Sequence, residues 1–269
     1  MLNQPGVAKG RWWLPIATLW HRELVRFFRQ KSRLIGALAT PLMFWLFIGS
    51  GLQSSFRPPL DNGGHYAIQT AGYLSYFFPG TIAMILLFTS IFANISLIQD
   101  RNEGFLQSVL VAPISGSSLV MGKILGGTTV AVLQGLVFLI FAPIAGIHIT
   151  VQSDIWVTLS MFVIAIALSS LGFVFAWMVN SIQGFHGIMN LVLLPMWLMS
   201  GAFFPQSGAS QWVRWLMTIN PLTYGVSALR RSFNPVDGIF AMLTDLLVMA
   251  IFALAAFVFS VVVIKRGRN

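Results

Sequence analysis

The chain contains no cysteine, which excludes disulfide frameworks, thiol nucleophiles and thiolate metal sites. Acidic side chains are also scarce, with 7 Asp and Glu against 16 Lys and Arg. Charged residues make up only 9% of the 269 residues, whereas a soluble domain usually carries about 25%. Together with 57% hydrophobic residues and a mean hydropathy of +0.81, this composition predicts an integral membrane protein.

Long runs without charged residues divide the chain. A helix needs about 20 mostly apolar residues to cross the hydrocarbon core of a bilayer. Such runs predict an all-α fold with six transmembrane helices, at about 34–52, 73–98, 124–147, 155–179, 187–204 and 239–264. The predicted organisation is a cytoplasmic N-terminus with an interfacial helix at 1–33, a transmembrane domain at 34–264 and a basic cytoplasmic tail at 265–269.

Basic residues flank both ends of the predicted transmembrane domain. Those before the first span are Lys9, Arg11, Arg22, Arg26, Arg29, Lys31 and Arg33, and those after the last are Lys265, Arg266 and Arg268. By the positive-inside rule, both termini are predicted to be cytoplasmic, which agrees with an even number of spans. Because the charge lies beside membrane segments, it indicates membrane lipid and not nucleic acid as the partner.

The residues before the first span show helical periodicity. Apolar side chains recur at Ile16, Trp20, Leu24, Phe27 and Phe28, while arginines follow the opposite face. This pattern predicts an amphipathic helix that lies along the inner leaflet. A basic anchor that only fixes the orientation of the chain explains the charges equally well, and the two interpretations are compatible.

Residues 100–113 form a polar segment between two long apolar runs. Asp100, Arg101 and Glu103 open the segment, its apolar residues then recur at helical spacing, and Pro113 limits its continuation. The pattern predicts a short helix on the cytoplasmic surface that meets an aqueous partner. An ordinary solvated loop between two spans is the alternative.

A second unusual segment precedes the last span. Two short amphipathic pieces, at 210–217 and 221–231, are joined by Asn220 and Pro221. Neither piece is long enough to cross the bilayer, so we predict a re-entrant or interfacial hairpin on the outer side. Arg214, Arg230 and Arg231 would then lie at the level of lipid headgroups or substrate.

No pattern of residues predicts catalysis, a bound cofactor or a metal site. The stretch 116–124 differs from a phosphate-binding P-loop in its glycine spacing and in having Ile124 where a hydroxyl is needed, so we interpret it as the start of a helix. Four-residue steps between small residues predict close helix packing, at Gly122, Gly126, Gly127, Ala131 and Gly135. The four histidines are far apart and suggest no metal ligand set.

Asp245 is the one acidic residue predicted inside a span. An intramembrane carboxylate is costly and is by default a candidate for function. The alternative, which we favour, is a group paired near the interface with Arg230 or Arg231.

Two segments carry a resemblance to a known family. The sequences RNEGFLQSVLVAP at 101–113 and NPLTYGVSALR at 220–230, in a six-span setting, resemble the integral membrane permeases of ABC-2 type exporters. The resemblance covers nearly the whole chain. It implies a permease subunit, not an enzyme, that exports a polysaccharide, a lipid-linked molecule or an amphipathic drug-like substrate across a membrane, such as the bacterial inner membrane.

The same resemblance implies partners and site residues. A separate ATPase subunit would bind ATP and Mg²⁺, two permeases would form a homodimer with a path between them, and the outer hairpin would act as a lid. The segment 100–113 would be a coupling helix received by the ATPase, and 181–186 a smaller second contact. The implied coupling residues are Asp100, Arg101, Glu103, Gly104, Phe105, Leu106 and Pro113, and those of the hairpin motif are Asn220, Pro221, Tyr224 and Arg230.

Two other classes of function remain open from the sequence. A secondary transporter or channel would use buried charges or broken helices, for which only Asp245 offers a charge. A lipid-modifying enzyme would need clustered acids, bases or metal ligands, and the sequence shows no such cluster.

Overall fold

The structure is a computed structural model that describes residues 13–52, 72–112, 114–233 and 239–268. These residues form helices and contain no strand, which confirms the all-α prediction. The helices are α1 Trp13–Arg29, α2 Lys31–Gly51, α3 Tyr73–Phe92, α4 Ile95–Asn102, α5 Phe105–Val111, α6 Gly116–Leu139, α7 Val151–Met178, α8 Ile182–Leu198, α9 Gln211–Ile219, α10 Pro221–Ser232 and α11 Ile239–Arg268.

Four helical segments are long and apolar enough to cross a membrane. They are Tyr73–Asn102, which joins α3 and α4, then α6, α7 and most of α11. Two further apolar helices in the described part of the chain are shorter, Ile35–Gly51 and Ile182–Leu198. These correspond to the first and fifth predicted spans, and each would need a thinned bilayer or flanking residues to cross it.

Two predicted spans have the wrong boundaries. The third, predicted at 124–147, is α6 at Gly116–Leu139. Lys123 does not interrupt this helix, because it is buried and paired with Glu23 of α1 and Asp100 of α4. The fifth, predicted at 187–204, is α8 at Ile182–Leu198, because the side chain of Ser181 accepts a hydrogen bond from the Gly184 N–H and starts the helix earlier. The predicted start of a helix at Gly116 is confirmed.

The centre of the bundle consists of α3 and α7. Nearly every residue of α3 from Phe77 to Leu87 is buried, and its aromatic rings contact Trp45 of α2 and Phe138 of α6. Glycines let the surrounding helices approach closely. A Cβ atom on Gly122 or Gly126 would lie 2.7 Å and 2.6 Å from the Cβ atoms of α1, while one on Gly135 would lie 2.8 Å from Met161 Sδ of α7. The predicted packing role of these small residues is therefore confirmed.

The bundle has two ends with different polar features. One end holds Arg22, Asp100 and Lys123, and we call it the charged end. The other holds Tyr73, Tyr76 and Arg230, and we call it the tyrosine end. The start of α2 and α8 and the end of α7 lie at the charged end, whereas α9 and α10 lie at the tyrosine end.

Candidate functional site

A buried charge cluster occupies the charged end, formed by Glu23, Asp100 and Lys123 with Arg22 and Arg26. The Lys123 ammonium donates to Glu23 Oε1 at 2.6 Å, to Asp100 Oδ2 at 2.5 Å and to Ser96 Oγ at 3.0 Å. Lys123 is 3% exposed and Asp100 is 1% exposed. Charges this deeply buried are stable only when they are paired, so this cluster ties α1, α4 and α6 together.

Arginines of α1 complete the cluster from its exposed side. Arg22 donates to both carboxylate oxygens of Asp100, with one N–O distance of 3.0 Å, and Arg26 donates to the same carboxylate at 2.9 Å. The Arg22 guanidinium also lies 3.8 Å from the ring centroid of Phe105 in α5. Burial, the largest single effect, would lower the pKa of Arg22. The hydrogen bond with Asp100 and the attraction of the Asp100, Glu23 and Glu103 carboxylates together outweigh burial and raise that pKa, so Arg22 stays charged.

Helix α1 packs against other helices of the bundle, whereas the periodicity predicted a helix that lies along the inner leaflet. Ile16 and Phe27 are buried in this packing together with Glu23, and Phe28 is half exposed. The indole N–H of Trp20 donates to Thr129 Oγ1 of α6 at 3.0 Å. The pair of Glu23 and Lys123 was not predicted from the sequence. The signals for it are a lone acid on an arginine-rich helix and a lone lysine beside an apolar run.

The segment 100–113 is two helices and not the single predicted one. Helix α4 ends at Asn102, and Gly104 then adopts φ +76°, a left-handed conformation that favours glycine. Helix α5 begins at Phe105 and turns Leu106 into the core. The side chain of Glu103 is 63% exposed at this break, and Pro113 lies outside the described residues.

Arg101 connects this segment with the end of α7. Its guanidinium donates to the carbonyl oxygens of Trp177 at 2.9 Å and Val179 at 3.1 Å, and to Asn180 Oδ1 at 3.0 Å. These are carbonyls that a helix leaves unpaired at its C-terminus, where a cation is also favoured by the helix dipole. Arg101 therefore fixes α4 beside the turn that leads into α8.

At the tyrosine end, side chains of two helices, α3 and α10, bind the loop after α8. Tyr76 and Arg230 donate to the Gly201 carbonyl at 2.9 Å and 3.0 Å, and the Arg230 guanidinium lies 4.2 Å from the Tyr76 ring centroid. Tyr73 donates to the Phe203 carbonyl at 2.7 Å. Gly201 has φ +78°, so the sharp turn of this loop depends on glycine.

Asn220 organises the join between α9 and α10. Its Oδ1 accepts from the Leu222 N–H at 3.0 Å and caps α10, where Pro221 is the first residue. Its Nδ2 donates to the Met196 carbonyl of α8 at 2.6 Å, and Tyr224 donates to the Thr218 carbonyl at 3.0 Å. The structure thus brings the motif residues of 220–230 together around α8 and α9.

Comparison with known proteins identifies this arrangement. A sequence profile of the ABC-2 type transporter family matches residues 15–234, which span α1 to α10. The chain belongs to the ABC-2 type transporter family. It is thereby a multi-pass membrane permease of the ABC-2 type.

Three relatives illustrate the breadth of the ABC-2 type family. The chain is 23% identical to the putative transport permease ycf38 of Cyanophora paradoxa over 82% of this chain and 74% of that protein. It is 23% identical to the daunorubicin resistance ABC transporter permease protein DrrB1 of Streptomyces coeruleorubidus, over 82% and 76%. It is 29% identical to the inner membrane transport permease YhhJ of Escherichia coli, over 56% of this chain and 41% of YhhJ.

Helix α11 of this ABC-2 type permease lies beyond the matched residues, and it contains Asp245. The carboxylate of Asp245 pairs with Arg231 at 3.1 Å, and the Arg231 side chain is 39% exposed. This geometry agrees with the favoured interpretation of a paired group and not an isolated charge. Arg214 is exposed on α9, while Arg230 contacts the loop after α8.

We expect Asp245→Asn to keep transport within about twofold of the wild type. The amide still accepts a hydrogen bond from Arg231, and a partly exposed ion pair contributes only about 1 kcal/mol. Transport by the reconstituted complex is the measurement, with Asp154→Asn, an exposed acid of α7, as the control. A loss of transport confined to Asp245→Asn would show that the charge itself is essential.

Proposed function

We propose that this permease exports an amphipathic, lipid-linked or polysaccharide substrate, driven by ATP hydrolysis in a separate ATPase subunit. The observation that carries this proposal is the buried charge cluster, which ties α4 to α1 and α6 and places Arg22 over Phe105 of α5, while Glu103 stays exposed. A short helix held this firmly transmits the movement of a bound partner to the spans. The name of the relative DrrB1 mentions daunorubicin resistance, which favours an amphipathic substrate.

The proposed arrangement has six spans, with α2 and α8 as the first and fifth. The charged end is cytoplasmic, because the basic residues of α1 and of the end of α11 lie there. Two permeases form a homodimer in a membrane such as the bacterial inner membrane, and the hairpin of α9 and α10 is a lid on the outer side. ATP and Mg²⁺ belong to the ATPase subunit.

The proposed contact with the ATPase involves the exposed side of the segment 100–113. Glu103, Gln107 and Val111 are exposed there. Asp100 and Arg101 hold internal partners, so we assign them the role of positioning α5 and the turn before α8. Arg101 connects α4 with the end of α7, just before 181–186. The main ATPase contact at 100–113 and the smaller one at 181–186 would therefore move together.

Charge reversal at Glu103 tests this function. We expect Glu103→Arg to reduce retention of the ATPase subunit by about tenfold in copurification, because a reversed charge in an interface repels what the native charge attracts. Folding should be little affected, since Glu103 is mostly exposed and lies 3.8 Å from Arg26. Glu103→Gln should reduce retention of the ATPase subunit less than Glu103→Arg does.

The matched control is Asp154→Arg, which reverses an exposed acid at the opposite end of the bundle. It should leave retention unchanged. If Glu103→Arg kept both the ATPase subunit and ATP-coupled transport, the docking role of this segment would be wrong. If transport proceeded without any ATPase and ignored ATP, the exporter function would fail, in favour of a secondary transporter or channel.

A further inference from the structure

A small cavity of about 20 Å³ lies at the charged end, between α1, α6 and the break that separates α3 from α4. A cavity holds an ordered water when it offers at least about 10–15 Å³ and two to four polar partners. The volume here suffices for one water and is far below the roughly 300 Å³ of the smallest ligand pockets. The residues that form the cavity are Glu23, Arg26, Phe27, Ala93, Ser96, Gly126, Gly127 and Val130.

Two polar side chains of this cavity retain unused hydrogen-bonding capacity. Glu23 is 8% exposed, and its ion pairs with Lys123 and Arg22 both use Oε1, so Oε2 has no donor among the described residues. Ser96 is buried and accepts from Lys123 at 3.0 Å, while its own O–H has no acceptor in the described part of the chain. A buried polar group without a partner is unfavourable, so these two favour a ligand that both donates and accepts.

Arg26 is the third polar partner, and it restricts the charge of the ligand. Its Nη1 donates to Asp100 at 2.9 Å, and a guanidinium has five N–H donors, so others remain for the cavity. Because a carboxylate and a guanidinium face the same space, Arg26 would repel a cation and Glu23 would repel an anion. A neutral molecule that donates and accepts hydrogen bonds fits both, and at this volume that molecule is water.

The backbone beside the cavity has the pattern of a helix into which a polar group is inserted. The N–H groups of Asn94, Ser96 and Leu97 bond to carbonyls three residues back, at 3.0, 3.3 and 2.9 Å, and not four residues back. Such breaks occur where a side chain or a water enters the hydrogen-bond pattern of a helix. The Asn94 amide does so by donating to the Ser90 carbonyl at 2.9 Å. Ala93 and Ser96 border the cavity, so a ligand there lies beside the same break.

We propose that this cavity binds one water molecule, which donates to Glu23 Oε2 and accepts from Arg26 and from the Ser96 hydroxyl. The water joins α1 to the break between α3 and α4. It thereby acts with the ion pairs of the buried charge cluster to hold α4, which leads into the segment 100–113. Binding of this water is independent of export and of the ATPase subunit.

A crystal structure of the full permease, grown in a lipidic mesophase at a resolution that shows ordered waters elsewhere at the charged end, tests the site. We expect one density peak about 2.6–3.2 Å from Glu23 Oε2, from an Arg26 nitrogen and from Ser96 Oγ, the range of hydrogen bonds. The absence of such a peak would overturn the proposal. So would a peak about 2.0–2.5 Å from the carboxylate, the distance of a bound metal cation, or one that contacts Arg26 alone, as an anion would.

Val130→Ile adds one methyl group to the wall of the cavity and should displace the water. The density peak should then disappear. Because Glu23 and Ser96 lose a partner, the equilibrium constant of unfolding in sodium dodecyl sulfate should rise at least about fivefold. Val137→Ile makes the same change at an exposed position of α6 and should keep both the peak and the wild-type stability. Stability of Val130→Ile equal to or above that of the wild type would show that the methyl group fills an apolar space, and the proposal would be wrong.

Discussion

Replacing Lys123 with methionine is expected to lower the free energy of unfolding of this permease by about 3–5 kcal/mol. Methionine has a similar length and fills the same space, but it leaves Glu23 and Asp100 without their shared ammonium group, which now lies 2.6 Å and 2.5 Å from them. Arg22 and Arg26 still neutralise Asp100, so Glu23 bears most of the loss. Unfolding by sodium dodecyl sulfate in mixed micelles measures the change.

Lys265→Met is the matched control, because Lys265 is an exposed lysine at the end of α11. It should unfold like the wild type. The double variant Glu23→Gln and Lys123→Met should lose less stability than the sum of the losses in the two single variants. The reason is that the side chain left without an ammonium partner at position 23 is then a neutral amide. Wild-type stability of Lys123→Met alone would mean that the cluster contributes nothing to holding α1 on α6.

Replacing Arg101 with leucine should uncouple transport from ATP hydrolysis while leaving most of the fold intact. The change removes donors from the Trp177 and Val179 carbonyls and from Asn180 Oδ1, and hydrogen bonds from a charged donor contribute about 1.5–3 kcal/mol each when buried. Because these acceptors lie near solvent, we expect a loss of about 2 kcal/mol in stability. Transport should fall at least about tenfold, because the end of α7 no longer follows α4.

The measurement compares transport with ATP hydrolysis in the reconstituted complex. Arg266→Leu, an exposed arginine of α11, is the control and should behave like the wild type. Arg101→Lys keeps the charge but not the planar fork of donors, so it should restore part of the coupling. Full transport by Arg101→Leu would show that this link between α4 and α7 has no part in coupling.

Helices could be predicted from the sequence because the membrane restricts the backbone. In hydrocarbon, every N–H and C=O must be paired within the chain, so a long apolar run is a helix. The error in α6 arose from the converse assumption that a charge must end a span. Lys123 lies inside α6 because Glu23 and Asp100, distant in sequence, neutralise it there.

The segment 100–113 likewise has one part that the local sequence predicted and one part that depends on packing. The apolar spacing of Phe105 and Leu106 predicted a helix, and α5 exists. The break before it depends on Gly104 in a left-handed conformation, and glycine alone does not reveal which conformation it will adopt. Which side of α5 is exposed depends on the packing of Leu106 in the core, which the local sequence does not indicate.

The sequence by itself determined that this chain is a helical membrane protein, because composition and periodicity reflect the solvent around each residue. It also marks the polar segment 100–113 and the motif from Asn220 to Arg230. Only the tertiary structure decided which charges meet. Glu23, Asp100 and Lys123 come from three separate helices, α1, α4 and α6. Such contacts depend on how the helices pack, which the local pattern of any one helix does not encode.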